Sequence, residues 1–145
     1  MARLVPVQIV AAWTGAVFLA LGILGFIPGA TTDYELLRIA GHHSGALLFG
    51  VFAVSVLHNI VHLLFGVGGL TFGRDPAAAR LYLLGGGTAY LALWLYGLVI
   101  DKASTANVVP FNSADDWLHF GIGSVMVLLG LVTARFRTEQ RHGSL

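Results

Sequence analysis

Residues 55–72, with the sequence SVLHNIVHLLFGVGGLTF, decide the fold because they are strongly apolar and carry no charged side chain. They belong to a longer charge-free run, 39–73, and three further runs of this kind are 4–32, 81–100 and 117–134. A transmembrane helix needs about 20 mostly apolar residues to cross roughly 30 Å of hydrocarbon. The runs do not alternate polar and apolar residues as the strands of a membrane barrel do. The sequence therefore predicts four membrane-spanning helices.

The composition agrees with an integral membrane protein and excludes several other classes. Of the 145 residues, 57% are hydrophobic and 10% are charged, and the mean hydropathy is +0.82. A soluble domain carries about 25% charged residues, so this chain has too few charges to cover a water-facing surface. A net charge of +1 provides no basic face for nucleic acid. The chain contains no cysteine, which excludes disulfides and thiolate metal sites.

We expect an all-α fold, an integral membrane four-helix bundle that forms a single transmembrane domain over residues 1–145. The predicted spans are roughly 6–28, 46–72, 79–100 and 114–135. In the first outer loop, the apolar residues of the segment 34–40 recur at helical spacing, which predicts a short amphipathic helix at the interface. We expect residues 136–145 to form a polar cytoplasmic tail.

The second apolar run is longer than one straight span requires. As a single helix, residues 44–72 would be about 43 Å long, which exceeds the hydrocarbon thickness by about 13 Å. Tilting is one solution. The other is a break near Ser55, which would then cap a helix that begins at Val56. We expect the helix to start, kink or change direction at this point.

The distribution of basic residues predicts the orientation. Six of the eight lysines and arginines lie at one set of helix ends, which positive charges mark as cytoplasmic. Both termini are therefore expected in the cytoplasm, with the protein in the plasma membrane. The loops 30–43 and 101–113 would then face outward.

Four polar residues inside the spans need an explanation. His58, Asn59, His62 and His119 lie in apolar runs, where ionisable groups are costly and usually face the protein interior. His58 and His62 are four residues apart, hence on one helical face. We expect His62 and His119 to meet across the second and fourth helices. Asp115 would either cap the fourth helix or accept an imidazole N–H.

The start of the fourth helix has a recognisable pattern of its own. Ser113 followed by Asp115 and Asp116 resembles a capping box, with Ser113 as the N-cap and acidic residues in the first turn. This interpretation assigns Asp115 and Asp116 a structural role.

Three readings of the histidines remain open. They form a structural clasp between helices, or His58, His62 and His119 bind a metal or a haem, since imidazole is a common ligand of both. The third reading is a proton or small-solute path, for which the inner half offers only Thr14, Thr88 and Ser124. The HxxxH pair lacks the glutamate of a hydrolytic HExxH site.

Three stretches resemble the signatures of a family of small bacterial four-span membrane proteins, catalogued as domain of unknown function 4383. They are HNIVHLLFGVGGL at 58–70, VPFNSADDWLH at 109–119 and YLLGGG at 82–87. The resemblance implies a membrane fold of four spans and brings no known activity. Asp116 stands where the family pattern has asparagine. The positions that match the family pattern are Asn59, His62, Gly66, Asn112, Asp115 and His119.

The small size, short loops and lack of a catalytic set favour a protein that is not an enzyme. We expect a structural or accessory subunit, with the lipid bilayer and a larger membrane complex or a second copy as partners. No resident cofactor is expected under this interpretation, and a metal or haem belongs to the alternative reading.

Single-cysteine labelling tests the orientation, because the chain has no cysteine of its own. In intact cells, Ser104→Cys should react with a membrane-impermeant maleimide. Ala77→Cys, in the predicted cytoplasmic turn, should react only after permeabilisation. Labelling of Ala77→Cys but not of Ser104→Cys in intact cells would reverse the predicted orientation.

Overall fold

The computed structural model describes residues 4–142, and their side chains as far as residue 133. This part of the chain contains four α-helices, which are α1 (Pro6–Leu24), α2 (Val56–Phe72), α3 (Pro76–Val99) and α4 (Ser113–His142). Three segments are long and apolar enough to cross a membrane, namely Pro6–Leu24, Pro76–Val99 and Ser113–Thr133. The α2 helix is a shorter apolar helix of 17 residues. The prediction of a helical membrane protein is confirmed.

The second apolar run breaks at Ser55, as expected. Its hydroxyl group accepts a hydrogen bond from the backbone N–H of His58 at 3.1 Å and so caps α2. The predicted span 46–72 is therefore wrong in its first ten residues. Those residues contain extended backbone, because a helix through them would overshoot the hydrocarbon.

The residues before α2 form a small antiparallel sheet in the order β1-β2-β3. Its strands are β1 (Thr31–Thr32), β2 (Leu47–Leu48) and β3 (Phe52–Ala53). The amphipathic helix predicted for 34–40 is reduced to a 3-10 turn, Tyr34–Leu36. We call residues 27–55 and 100–112 together the loop cap, because both segments lie at the same end of the helices.

The other helix ends differ from the predicted spans by a few residues. The α3 helix begins at Pro76 rather than at 79, because the Asp75 carboxylate accepts hydrogen bonds from the N–H groups of Ala77 and Ala78, both at 2.9 Å. The α4 helix continues to His142, into the segment predicted as a polar tail. Residues 143–145 of that segment lie outside the described residues.

The helices pack as two pairs, α1 with α2 and α3 with α4. Glycines set the distance within each pair. A Cβ atom built on Gly15 of α1 would lie 2.7 Å from the carbonyl oxygen of Gly66 on α2, and one on Gly87 of α3 would lie 2.9 Å from that of Gly123 on α4. Small residues allow such close backbone approach, on which helix association in lipid depends.

A core of buried side chains joins the two pairs. It includes Phe18 of α1, Leu83 and Tyr90 of α3, and Met126 of α4. This core lies directly against the polar residues that the sequence singled out.

Gly15→Ala should destabilise the protein, because the added methyl group meets backbone atoms that cannot rotate away. We expect a loss of about 1–3 kcal/mol in the free energy of unfolding, the usual cost of overpacking. Thermal unfolding in detergent measures the effect. Gly68→Ala is the matched control, because its Cβ would have no neighbour closer than 3.7 Å. Equal stability of the two variants would contradict the role given to the α1–α2 contact.

Candidate functional site

The structure brings the three histidines of the spans together in the interior. Side chains of His58, His62 and His119 are 5%, 7% and 3% exposed. The ring centroids of His58 and His62 are 4.4 Å apart, and those of His58 and His119 are 6.4 Å apart. Helical spacing places the first two on one face of α2, and α4 supplies the third. We call these three residues the histidine cluster.

Aromatic side chains enclose the histidine cluster on several sides. The ring of Phe111, in the loop cap, lies 4.9 Å from that of His119, and the ring of Tyr90, on the neighbouring α3 helix, lies 5.2 Å from it. Phe18 of α1 packs on His62 at 5.6 Å. Sequence reasoning missed all three aromatic residues, because an aromatic residue in an apolar span carries no signal of which neighbour it meets.

The cluster has hydrogen-bonding capacity that the described residues do not use. The Nδ1 atoms of His58, His62 and His119 are buried without a hydrogen-bond partner in the structure. The side-chain amide nitrogen and oxygen of the buried Asn59 also lack a hydrogen-bond partner in the structure. They lie next to Gly25, which follows the last residue of α1. Buried polar atoms are normally paired, so each of these is an exception that calls for an explanation.

The start of α4 is capped one residue earlier than predicted. Asn112, not Ser113, is the N-cap. Its side-chain oxygen accepts from the Asp115 N–H at 3.0 Å, and the Asp115 carboxylate accepts from the Asn112 N–H at 2.9 Å. This reciprocal pair is a capping box. Asn112 fits the N-cap position because it lies three residues before Asp115, which is the spacing that a capping box requires.

Asp115 also joins α4 to the sheet. The same carboxylate oxygen accepts a hydrogen bond from the backbone N–H of Ala53 in β3 at 3.0 Å. The Asn112 amide donates to the Val51 carbonyl at 2.7 Å. The loop cap is thus fastened to α4 one turn above His119, and Asp115 serves the helix cap rather than an imidazole.

Asp116 makes an ion pair that sequence reasoning did not foresee. Its carboxylate lies 2.7 Å from Nζ of Lys102, which also donates to the Gly97 carbonyl at 2.8 Å. The second carboxylate oxygen is buried against Gly97. Lys102 and Asp116 are fourteen residues apart in the chain, and only the turn between α3 and α4 brings them together.

The metal and haem alternatives both concern the histidine cluster. Among the residues that the structure describes, no group of three or more His, Asp and Glu side chains is placed to hold a metal ion. For a haem, the cluster offers imidazoles from two helices, and the rings of Tyr90 and Phe111 pack against His119.

The alternative of a proton or small-solute path depended on Thr14, Thr88 and Ser124. Thr88 is exposed on the outside of α3, and its hydroxyl group donates to the Leu84 carbonyl of the same helix at 2.8 Å. Thr14 and Ser124 are half-buried. The three side chains therefore do not line one interior channel.

Comparison with known proteins places the chain in a family. The family described as "Domain of unknown function (DUF4383)" matches residues 8–132. The chain belongs to this family. It matches no curated protein and no solved structure.

The positions assigned through the DUF4383 resemblance fall into three places in the structure. His62, His119 and Asn59 lie in or beside the histidine cluster, while Asn112 and Asp115 cap α4. Gly66 lies at the α1–α2 contact. Asp116 carries the charge that pairs with Lys102.

His119→Ala should lower stability, because it leaves a cavity between Phe111 and Tyr90. We expect a loss of about 2 kcal/mol or more in the free energy of unfolding, as for other large-to-small core changes. His119→Phe keeps the ring and should cost less than about 1.5 kcal/mol. Thermal unfolding in detergent compares the two. Equal losses would mean that the imidazole nitrogens, and not the packing of the ring, stabilise the fold.

Proposed function

We propose that this protein is a non-enzymatic membrane protein that acts as a structural or accessory subunit of a membrane complex. The observation that carries the proposal is how its polar residues are used. Those with hydrogen bonds, including Asp115, Asn112 and Ser55, hold helix ends and the loop cap in place. The histidines pack on one another and on aromatic rings. Such an arrangement fits internal support better than turnover of a substrate.

The outer surface is apolar, as contact with lipid or with the helices of neighbouring subunits requires. Large apolar side chains project from three helices, with Leu64 of α2 67% exposed, Leu81 of α3 73% and Leu128 of α4 59%. In lipid these side chains contact acyl chains or the helices of neighbouring subunits. Large exposed apolar patches mark membrane or protein contacts.

The distribution of basic residues favours one orientation of the chain in the membrane. The chain would lie in the plasma membrane with both termini in the cytoplasm, since six of its eight basic residues lie at the ends that include the two termini. The loop cap would then face outward.

Cross-linking from single cysteines tests the proposal. The variants Leu64→Cys, Leu81→Cys and Leu128→Cys each place one thiol on a different helix face of a cysteine-free chain. A photoactivatable maleimide on each would be activated in the native membrane. We expect one position to give a discrete adduct with a single membrane protein and the other two to give none, so that each position controls for the others.

Blue-native electrophoresis of the tagged full chain, after mild solubilisation, is the second measurement. An assembly larger than the monomer, which contains the cross-linked protein in fixed ratio, supports the proposal. A chain that migrates as a monomer and gives no protein adduct from any of the three faces would overturn it.

A further inference from the structure

A groove separates the two helix pairs on one side of the molecule. It runs between α1 and α4, has a volume of about 570 Å³, and opens toward the surrounding lipid. Its walls are apolar and include Val17 of α1 and Val125 of α4. Trp13 and Trp117, which are 70% and 62% exposed, stand at its edges.

The length of the groove suits a hydrocarbon chain. From Trp117 to Leu129 the α4 wall extends about 18 Å at 1.5 Å per residue. A single hydrocarbon chain is narrow and flexible, and it suits an apolar groove of this length that faces the lipid.

One end of the groove comes close to the histidine cluster, from which Phe18 separates it. Phe18 lines the groove and also packs on His62, so its ring is the partition between the two. Phe18 lies six residues before the end of α1, while His62 and His119 lie six residues after the starts of α2 and α4. All three are therefore about 9 Å inside the helices from the end that carries the loop cap.

The surroundings of His62 and His119 favour a lipid ligand whose headgroup is neutral. The apolar segment Ser113–Thr133 is about 31 Å long and matches the hydrocarbon core, so His119 lies below the zone of lipid headgroups. Lys102, which contacts α4 at this end, is already paired with Asp116 and is not free for a phosphate or carboxylate. The unpartnered Nδ1 atoms of His62 and His119 suit a carbonyl oxygen or a hydroxyl group, because a neutral imidazole has one donor and one acceptor.

We propose that the groove between α1 and α4 binds a quinone-type lipid, with its hydrocarbon tail along the groove and its carbonyl-bearing ring at His62 and His119. The ring reaches the histidine cluster past Phe18, whose side chain rotates aside. Binding then supplies the hydrogen-bond partners that the buried imidazoles lack. The site is distinct from the outward faces that an assembly partner would cover.

Two glycines provide a matched pair of variants. A Cβ on Gly121, in the groove wall, and a Cβ on Gly85, on α3 outside the groove, would each have no neighbour within 4 Å. Gly121→Leu therefore fills the groove without a clash in the fold. Gly85→Leu makes the same chemical change elsewhere. His119→Phe keeps the ring but removes the nitrogen atoms offered to the head.

Quenching of tryptophan fluorescence by decylubiquinone, with the full chain in nanodiscs, measures binding, because Trp13 and Trp117 border the groove. We expect saturable quenching for the wild type and for Gly85→Leu. Gly121→Leu should weaken binding at least tenfold, and His119→Phe about fivefold. Dodecanoic acid, which has a chain but a charged head, should not compete. If Gly121→Leu loses its fold, Thr14→Leu blocks the groove from the opposite wall.

Three results would overturn the inference. Quenching that does not saturate, or is equal in Gly121→Leu and Gly85→Leu, would mean that the groove is not a binding site. Equal binding of dodecanoic acid, with no effect of His119→Phe, would mean that the imidazoles do not recognise a head. A wild-type dimer that Gly121→Leu dissociates would make the groove a contact between two copies.

Discussion

The carboxylate of Asp115 makes the hydrogen bonds on which the arrangement of the whole loop end depends. One of its oxygen atoms accepts from the N–H of Asn112, which starts α4, and from the N–H of Ala53, which ends the sheet. A helix start has unpaired N–H groups, and in a membrane protein these need a partner at the edge of the hydrocarbon. Because one carboxylate serves both elements, the loop cap and α4 hold a common position, and His119 follows one turn below.

The histidine cluster follows from that position and from the close approach of the helices. Gly15 and Gly66 let α1 and α2 touch through their backbones, which brings Phe18 against His62. The α3–α4 pair brings Tyr90 against His119. Polar side chains that would be costly in lipid thus share one interior, where they meet aromatic rings rather than hydrogen-bond partners.

The same packing leaves the molecule asymmetric. Most helix contacts lie within the two pairs, whereas α1 and α4 make few contacts and leave an apolar groove between them. Phe18 lines the groove and also packs on His62, so a lipid bound in the groove as proposed would contact a side chain that borders the cluster. An accessory subunit with a lipid ligand would combine a supporting role, through its outer faces, with a response to the lipid phase.

The sequence by itself determined the helical membrane fold, the family and the break at Ser55, because each depends on composition, run length or a local cap. The 29 residues of 44–72 are too many for one straight span, and Ser55 lies at a position where it can cap a shorter helix. Only the tertiary structure decided what surrounds the histidines, which residue caps α4, and that Lys102 pairs with Asp116. Some of those contacts join residues that are far apart in the chain. Others decide which of two adjacent residues, such as Asn112 and Ser113, caps the helix. The physical reason is that periodicity assigns a side chain to a face of its own helix, whereas the neighbour it meets depends on how closely the glycines let the helices approach.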